Sequence, residues 1–256
     1  MICNYLSGDV IKAAQLHALN EYPKEACGIV IDDTYYPCEN VAENPEKDFE
    51  ISAKDIMRIS SIGVIKAIIH SHPNALAAPT ATDMTGQINS GVVWGIISTD
   101  GERASEPFLW GDQLPIEPII GREFVHGIRD CFSLIRDCFR LGKTELAKQG
   151  VEEWPYDPVV FPVYPRDDEW WNNGQDLYSE NFSKIGWKEI TREEVRAGDA
   201  FMLKVKSDKL NHAGLYIGNN IILHHLPTRL SRREPVGIWA RSADIWLRWE
   251  GLPNAS

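Results

Sequence analysis

The chain has 256 residues, 43% of them hydrophobic and 25% charged, with a formal net charge of −11. That is room for one large globular domain or two ordinary ones. No Lys/Arg block offsets the acidity, which argues against nucleic acid, since binding there needs a basic face to displace counterions. No apolar run nears the roughly 20 residues of a membrane helix. The start, MICNYLSGDVIKAAQ, lacks the basic beginning and continuous apolar core of a secretory signal, so synthesis in a cytosol is expected. The cysteines (Cys3, Cys27, Cys38, Cys131, Cys138) are odd in number and irregularly spaced. With no Cys-x-x-Cys pair, they suggest neither a zinc ribbon nor a disulfide framework.

The first hundred residues read as alternating elements. Asp9–Leu19 has apolar residues at helical spacing behind an acidic start, and Cys27–Ile31 is a short apolar strand. Ser52–Ser60 opens on a capping residue and suits a helix. Val64–His70 and Gly91–Ser98 are β-branched-rich strands, and Thr80–Ser90 between them predicts a short helix. Around Pro107 the texture turns Pro-rich and aperiodic, as a linker would be. An amphipathic helix, DCFSLIRDCFRLGK, follows, with Leu134, Ile135, Cys138 and Phe139 on one face. The stretch 151–181 is acidic and rich in Trp and Pro. It reads either as a substrate or partner surface or as a solvated loop pinned by its tryptophans. Beyond it, DAFMLKV, HAGLYIG, NIILHHL and EPVGIWA read as short strands. A helix followed by an antiparallel sheet is an α+β order.

Two groups of residues carry chemistry. On an extended segment His70 and His72 point to one side, and Asp83 lies in the first turn of the next helix, where a carboxylate is favoured. Two histidines, one aspartate and an open position would suit a catalytic zinc site, with a base supplied from elsewhere. By spacing alone the pair also fits an ordinary loop, and Asp83 a plain helix cap. The string HSHPNALAAPTATD, however, reads His-x-His, seven residues, Ser/Thr, two residues, Asp. That resembles the JAMM (MPN-plus) metallopeptidase motif. Upstream, PKEACG matches the family's isolated catalytic glutamate at Glu25, and NPEKDFEIS is similar to the bacterial and phage branch. The resemblance implies that His70, His72 and Asp83 ligate zinc, that Glu25 is the general base, and that Thr80, where the family usually has Ser, donates to the oxyanion.

The second group is Cys131, His212 and His224. Cys131 opens the amphipathic helix, and a helix N-terminus is expected to stabilise a thiolate and lower its pKa. His212 and His224 lie on strands that a GNN turn would bring together, so that one pairs with sulfur and the other orients it. A core cysteine and two half-buried histidines would fit the spacing as well. DCFSLIRDCF, AGDAFML and HAGLYIGNNIILHH together resemble the NlpC-type cysteine peptidase domain. On that resemblance Cys131 is the nucleophile, His212 the base and His224 the orienting residue, with His225 the alternative for the third role. Phe132-Ser133 departs from the family's usual Ser-Gly.

The expected fold class is α+β in two domains. Residues 1–106 form a JAMM-type α/β/α sheet domain, 107–120 a linker, and 121–250 a papain-like NlpC-type domain of helix plus antiparallel sheet. This pairing resembles the lambda-type phage tail assembly proteins. The resemblance implies a zinc peptidase or isopeptidase joined to a cysteine peptidase that cuts peptidoglycan stem peptides during genome entry. Implied partners are peptidoglycan or a peptide substrate and tail-tip proteins, with no nucleic acid and no membrane insertion. The implied location is the host cytoplasm during assembly and the virion tail tip. The second reading is a structural tail-tip assembly factor that makes little use of either site.

Overall fold

The computed structural model describes residues 5–251, and the chain divides into two compact units after Pro115. Cys3 lies outside the described residues, and the other four cysteines are free thiols. Among the described residues no helix is long and apolar enough to cross a membrane.

The first unit is built on a five-stranded sheet in the order β2-β1-β3-β4-β5: β1 is Cys27–Ile31, β2 Thr34–Cys38, β3 Ile65–Pro73, β4 Val93–Thr99 and β5 Phe108–Trp110. Only β3 and β4 run parallel. Parallel neighbours need a crossover, and α3 (Ala81–Ser90) supplies it. Helix α1 (Gly8–Glu21) lays Val10, Ala14 and Ala18 on one face of the sheet, against Val30, Ala67, Ile69 and Ile97. Ile59 of α2 (Ala53–Ser60) packs with Ile29 and Ile31 on the other. With both faces covered, every residue of β1 is buried, which is why it reads as a continuous apolar run. The expected α/β/α sheet domain is present. The stretch expected as linker is partly structured, because β5 closes the edge of this sheet by pairing with β4. Its three residues are too few to show a period.

The second unit carries a six-stranded antiparallel sheet in the order β10-β9-β8-β7-β11-β6. The strands are β6 Trp187–Ile190, β7 Ala200–Leu203, β8 His212–Tyr216, β9 Ile221–His224, β10 Arg232–Pro235 and β11 Ile245–Trp249. Helix α4 (Cys131–Lys148) packs on one face through Leu134, Ile135, Cys138 and Phe139, against Ala213, Leu215 and Leu223. It breaks at Gly142, whose φ is 66°. The stretch 151–181, including the short α5 (Leu177–Asn181), is mostly irregular and partly exposed, and its tryptophans are among the residues that pin it down. Val151, Trp154, Phe161, Trp170 and Tyr178 are buried in the α4 core. Sequence 234–240, expected as a strand, is corrected. The β9–β10 ladder ends at Pro235, which has no N–H to continue it, and Gly237–Ser242 forms helix α6 over the far face of the sheet.

Candidate functional site

In the first unit, β3 runs through both histidines, so period-two alternation sends His70 and His72 to the same side. The β1–β3 register, Cys27 opposite His70, carries on for two residues. Ser71 N–H donates to Ala26 O at 2.9 Å and Ala26 N–H to Ser71 Oγ at 2.8 Å, which sets Glu25 across from His72. Asp83 arrives from α3. Thr80 caps that helix in a reciprocal box, accepting from Asp83 N–H at 3.1 Å while its own N–H and hydroxyl each donate to Asp83 Oδ2 at 2.8 Å. The hydroxyl expected to serve an oxyanion is thus directed at Asp83.

The side chains converge. His70 Nε2 lies 3.1 Å from His72 Nε2 and 3.2 Å from Asp83 Oδ1. His72 Nε2 lies 3.5 Å from Asp83 Oδ2 and 3.9 Å from Glu25 Oε1. One ligand atom each from Glu25, His70 and His72 fits within a 4.8 Å span. All four residues are buried. His72 Nδ1 sits 3.0 Å from Leu76 O, so it carries the proton, and the Nε2 of the neutral ring is then an acceptor. That acceptor faces two carboxylates, which also only accept. A set of converging buried acceptors is stable only around a cation, either a proton or a metal ion, and the donor types suit a metal. The walls are aromatic: Phe49 stacks on His70 at 4.4 Å, with Trp94 and Trp110 edge-on. Among the described residues His70 Nδ1 has no hydrogen-bond partner.

Burial pushes the Glu25 carboxyl up to about 7, against the pull of His72. Burial also works on Asp83, but the contacts with both histidines and the Thr80 N–H outweigh it and hold that carboxyl well below the usual range. In His72 the same competition goes to Asp83 and Glu25, and its pKa is raised. In His70, enclosed by rings, burial wins and its pKa is lowered.

In the second unit Asp130 caps α4, accepting from Ser133 N–H at 2.8 Å, from Gly127 N–H at 2.9 Å and from buried Arg166 at 2.5 Å. Cys131 then projects at the helix start. Its thiol lies 3.2 Å from Tyr178 Oη. His212 Nε2 is 3.3 Å from His224 Nδ1. The strand register explains the pair: His224 sits opposite Gly214, so His212 is its diagonal neighbour on the same face. A Cβ on Gly214 would come within 2.5 Å of the Phe201 ring and 2.8 Å of His224 Cβ, so the glycine of His-x-Gly makes room for the imidazole. His225, one residue on, instead meets Phe124 edge-on at 5.2 Å and makes no hydrogen bond to the Cys131 group among the described residues.

The expected low thiol pKa is corrected. Burial pushes Cys131 up, and the Asp130 carboxylate at the same helix end adds to it, outweighing Tyr178 and Ala213. Burial and the neighbouring histidines take His212 down to about 3. The two groups therefore rest as neutral thiol and neutral imidazole, and among the described residues no hydrogen bond joins them. Such contacts commonly tighten only when substrate binds. Tyr178 and Arg166 were not singled out from sequence. Their only signal was the aromatic texture of 151–181.

Comparison with known proteins places this geometry among relatives. The family model described as NlpC/P60 family matches residues 105–244, and the one described as prokaryotic homologs of the JAB domain matches residues 8–110. The chain is 33% identical over 242 residues to the tail tip assembly protein K of Escherichia phage N15, covering 89% of this chain and 88% of that protein. It is 30% identical over 200 residues to the protein of that name from Escherichia phage lambda, covering 77% and 85%.

Proposed function

From a chain that belongs to the NlpC/P60 family, and over most of its length to the family of the phage tail tip assembly proteins K, we propose a tail tip assembly protein with two hydrolytic sites. The unit ending at Pro115 is a zinc-dependent peptidase or isopeptidase. The second unit is a cysteine peptidase that cleaves an amide bond of peptidoglycan stem peptides during genome entry. The observation that carries this reading is the 3.3 Å His212–His224 contact, together with a Cys131 thiol set at the start of α4 and 3.2 Å from Tyr178 Oη.

In the second unit His212 takes the Cys131 proton as sulfur attacks the substrate carbonyl carbon, and the imidazolium leans on His224. The oxyanion that forms is within reach of the Tyr178 hydroxyl, a donor already beside the sulfur. Collapse expels the amine, which leaves with the proton from His212, and a thioester on Cys131 remains. Water, deprotonated by His212, then releases the acid and restores the thiol. Because both partners start neutral, the proton transfer belongs to the attack itself, as in a serine peptidase.

In the first unit His70 Nε2, His72 Nε2 and the Asp83 carboxylate would hold zinc, which when bound would polarise a carbonyl and acidify a water. Glu25, raised to about 7, can take and return a proton near neutral pH. Thr80 keeps Asp83 in place, and its hydroxyl, turned from that carboxylate, donates to an oxyanion. The acidic chain, made in the host cytoplasm, acts at the tail tip with other tail proteins as partners.

Digestion of purified peptidoglycan by the full chain, with products read by mass spectrometry, tests the central claim. Cys131→Ala should abolish cleavage, while Cys138→Ala, in the core, should leave it. Equal activity of the two variants would remove Cys131 as nucleophile. Phage built with Cys131→Ala should form normal tails and infect poorly. Missing tails would instead favour a purely assembly role.

A further inference from the structure

We propose that Glu234 is a positioning residue of the second site: by accepting a hydrogen bond from His224 Nε2–H it dictates where the protons of the histidine pair lie and leaves His212 Nδ1 unprotonated. The inference rests on the reading of Cys131 and His212 as nucleophile and base.

Strand β10 pairs with β9 so that Arg232 lies opposite His224, and Glu234 follows two residues on, along the same face. Glu234 Oε2 is 3.3 Å from His224 Nε2 and accepts from Trp239 Nε1 at 2.8 Å. The other carboxylate oxygen is paired with Arg232. The indole of Trp239, from α6, stands edge-on to His224 at 4.3 Å and closes the remaining side of that ring. His224 is 1% exposed, so its Nε2 has little recourse to water.

The proton positions follow from donor and acceptor chemistry once the His224 ring is neutral. An indole N–H only donates, so the oxygen it meets is an acceptor. His224 Nε2, facing the same oxygen, must carry a proton. Burial keeps the His224 ring neutral against the pull of Glu234, so its Nδ1 has a lone pair. His212 Nε2, 3.3 Å away, must then be the donor. A neutral His212 protonated at Nε2 has its lone pair at Nδ1, the state a base requires. Two histidines in contact have no such preference by themselves. The bridging proton can sit on His212 Nε2 or on His224 Nδ1, and in the second arrangement His212 carries its proton on Nδ1 and is no base. Glu234 removes the second arrangement, because it would set the lone pair of His224 Nε2 against a carboxylate.

The test is the alkylation rate of Cys131 by iodoacetamide in the full chain, followed on the Cys131 peptide by mass spectrometry, together with ¹⁵N spectra of the histidine rings. Glu234→Ala should slow alkylation about 10- to 100-fold, the range for removing an outer carboxylate that orients a histidine, and the spectra should show His212 as a mixture of tautomers. Glu234→Gln should restore most of the rate. Trp239 demands an oxygen at its end of the amide, which directs the NH₂ toward the more exposed Arg232 and keeps the acceptor for His224. Equal slowing in both variants overturns the proposal, as does Glu234→Ala with wild-type rate and spectra. His212→Ala separates the two levels. If it leaves alkylation unchanged, the Cys131–His212 reading itself fails. If it slows alkylation and Glu234→Ala does not, only the role of Glu234 fails.

Discussion

Gly214→Ala is a one-carbon change whose cost can be worked from the geometry. The new Cβ would lie 2.5 Å from Phe201 Cζ and 2.8 Å from His224 Cβ. Real Cβ atoms essentially never come that close, so something must move. Phe201 is wholly buried and His224 nearly so, leaving neither an open direction. Forcing a methyl group into a filled core costs about 1–3 kcal/mol. The natural control is Gly237→Ala, in the first turn of α6, where a Cβ meets nothing within 4 Å. Amide hydrogen exchange in β8 and β9 reads the stability of the second unit directly. It should show the loss for Gly214→Ala and none for Gly237→Ala. The displaced His224 should also lose its 3.3 Å contact, so Cys131 alkylation should slow together with the loss of stability. Equal protection and equal alkylation in the two variants would refute the argument that Gly214 makes room for the histidine pair.

Arg166→Ala strands the Asp130 carboxylate in the interior and should cost about 3–5 kcal/mol, measured by exchange of α4 amides. An effect of the same size in an Asp130→Asn background would contradict the pairing. The pH dependence has a definite sign. Burial opposes ionisation of Asp130, but Arg166 and the Ser133 N–H hold its carboxyl far below the usual range. The folded state therefore binds fewer protons than the unfolded one. This stabilisation is complete above the unfolded pKa of about 3.9 and fades as pH falls through the folded value. Protection of α4 should drop on acidification below about pH 4, with a shallower slope in Asp130→Asn. Tyr178→Phe removes a donor beside sulfur and should lower kcat on peptidoglycan about 100- to 1000-fold; an unchanged kcat would exclude the hydroxyl from the reaction. Metal analysis of the full chain should give about one zinc per chain, as for a mononuclear site. An undiminished content in the His70→Ala, His72→Ala double variant would remove those ligands.

The candidate histidine pairs could be picked out because their elements have a period, whereas Glu25 rested on the family resemblance alone. His70 and His72 stand on β3, where a spacing of two means one face, and Thr80 and Asp83 form a capping box, a local signature three residues long. Cys131 was legible from a helix start preceded by a capping aspartate. The short edge strands β5 and β6 were not, since three or four residues cannot display alternation. The error at 234–240 has a similar origin. An apolar run with one tryptophan suits a strand or a helix, and Pro235 decides between them only once β9 is known to be its neighbour.

The thiol shows the limit most clearly. Position at a helix N-terminus implies a lowered pKa, and that much is local. The outcome is set instead by burial and by a carboxylate at that same helix end, so the pKa rises. Tyr178 reaches Cys131 across 47 residues of chain, and Arg166 reaches Asp130 across 36. Neither distance obeys a period, because the stretch between them is irregular.

By itself, then, the sequence offered candidate ligands and a candidate nucleophile and the elements that carry them, because those follow from side-chain chemistry and from the two backbone periods, while the assignment of roles, and Glu25 as a base, came from the family resemblance. The tertiary structure decided the proton positions, the buried partners and the balance of burial against charge. Those depend on which atoms meet across the sheet and on how much water is left between them, and no local spacing encodes either.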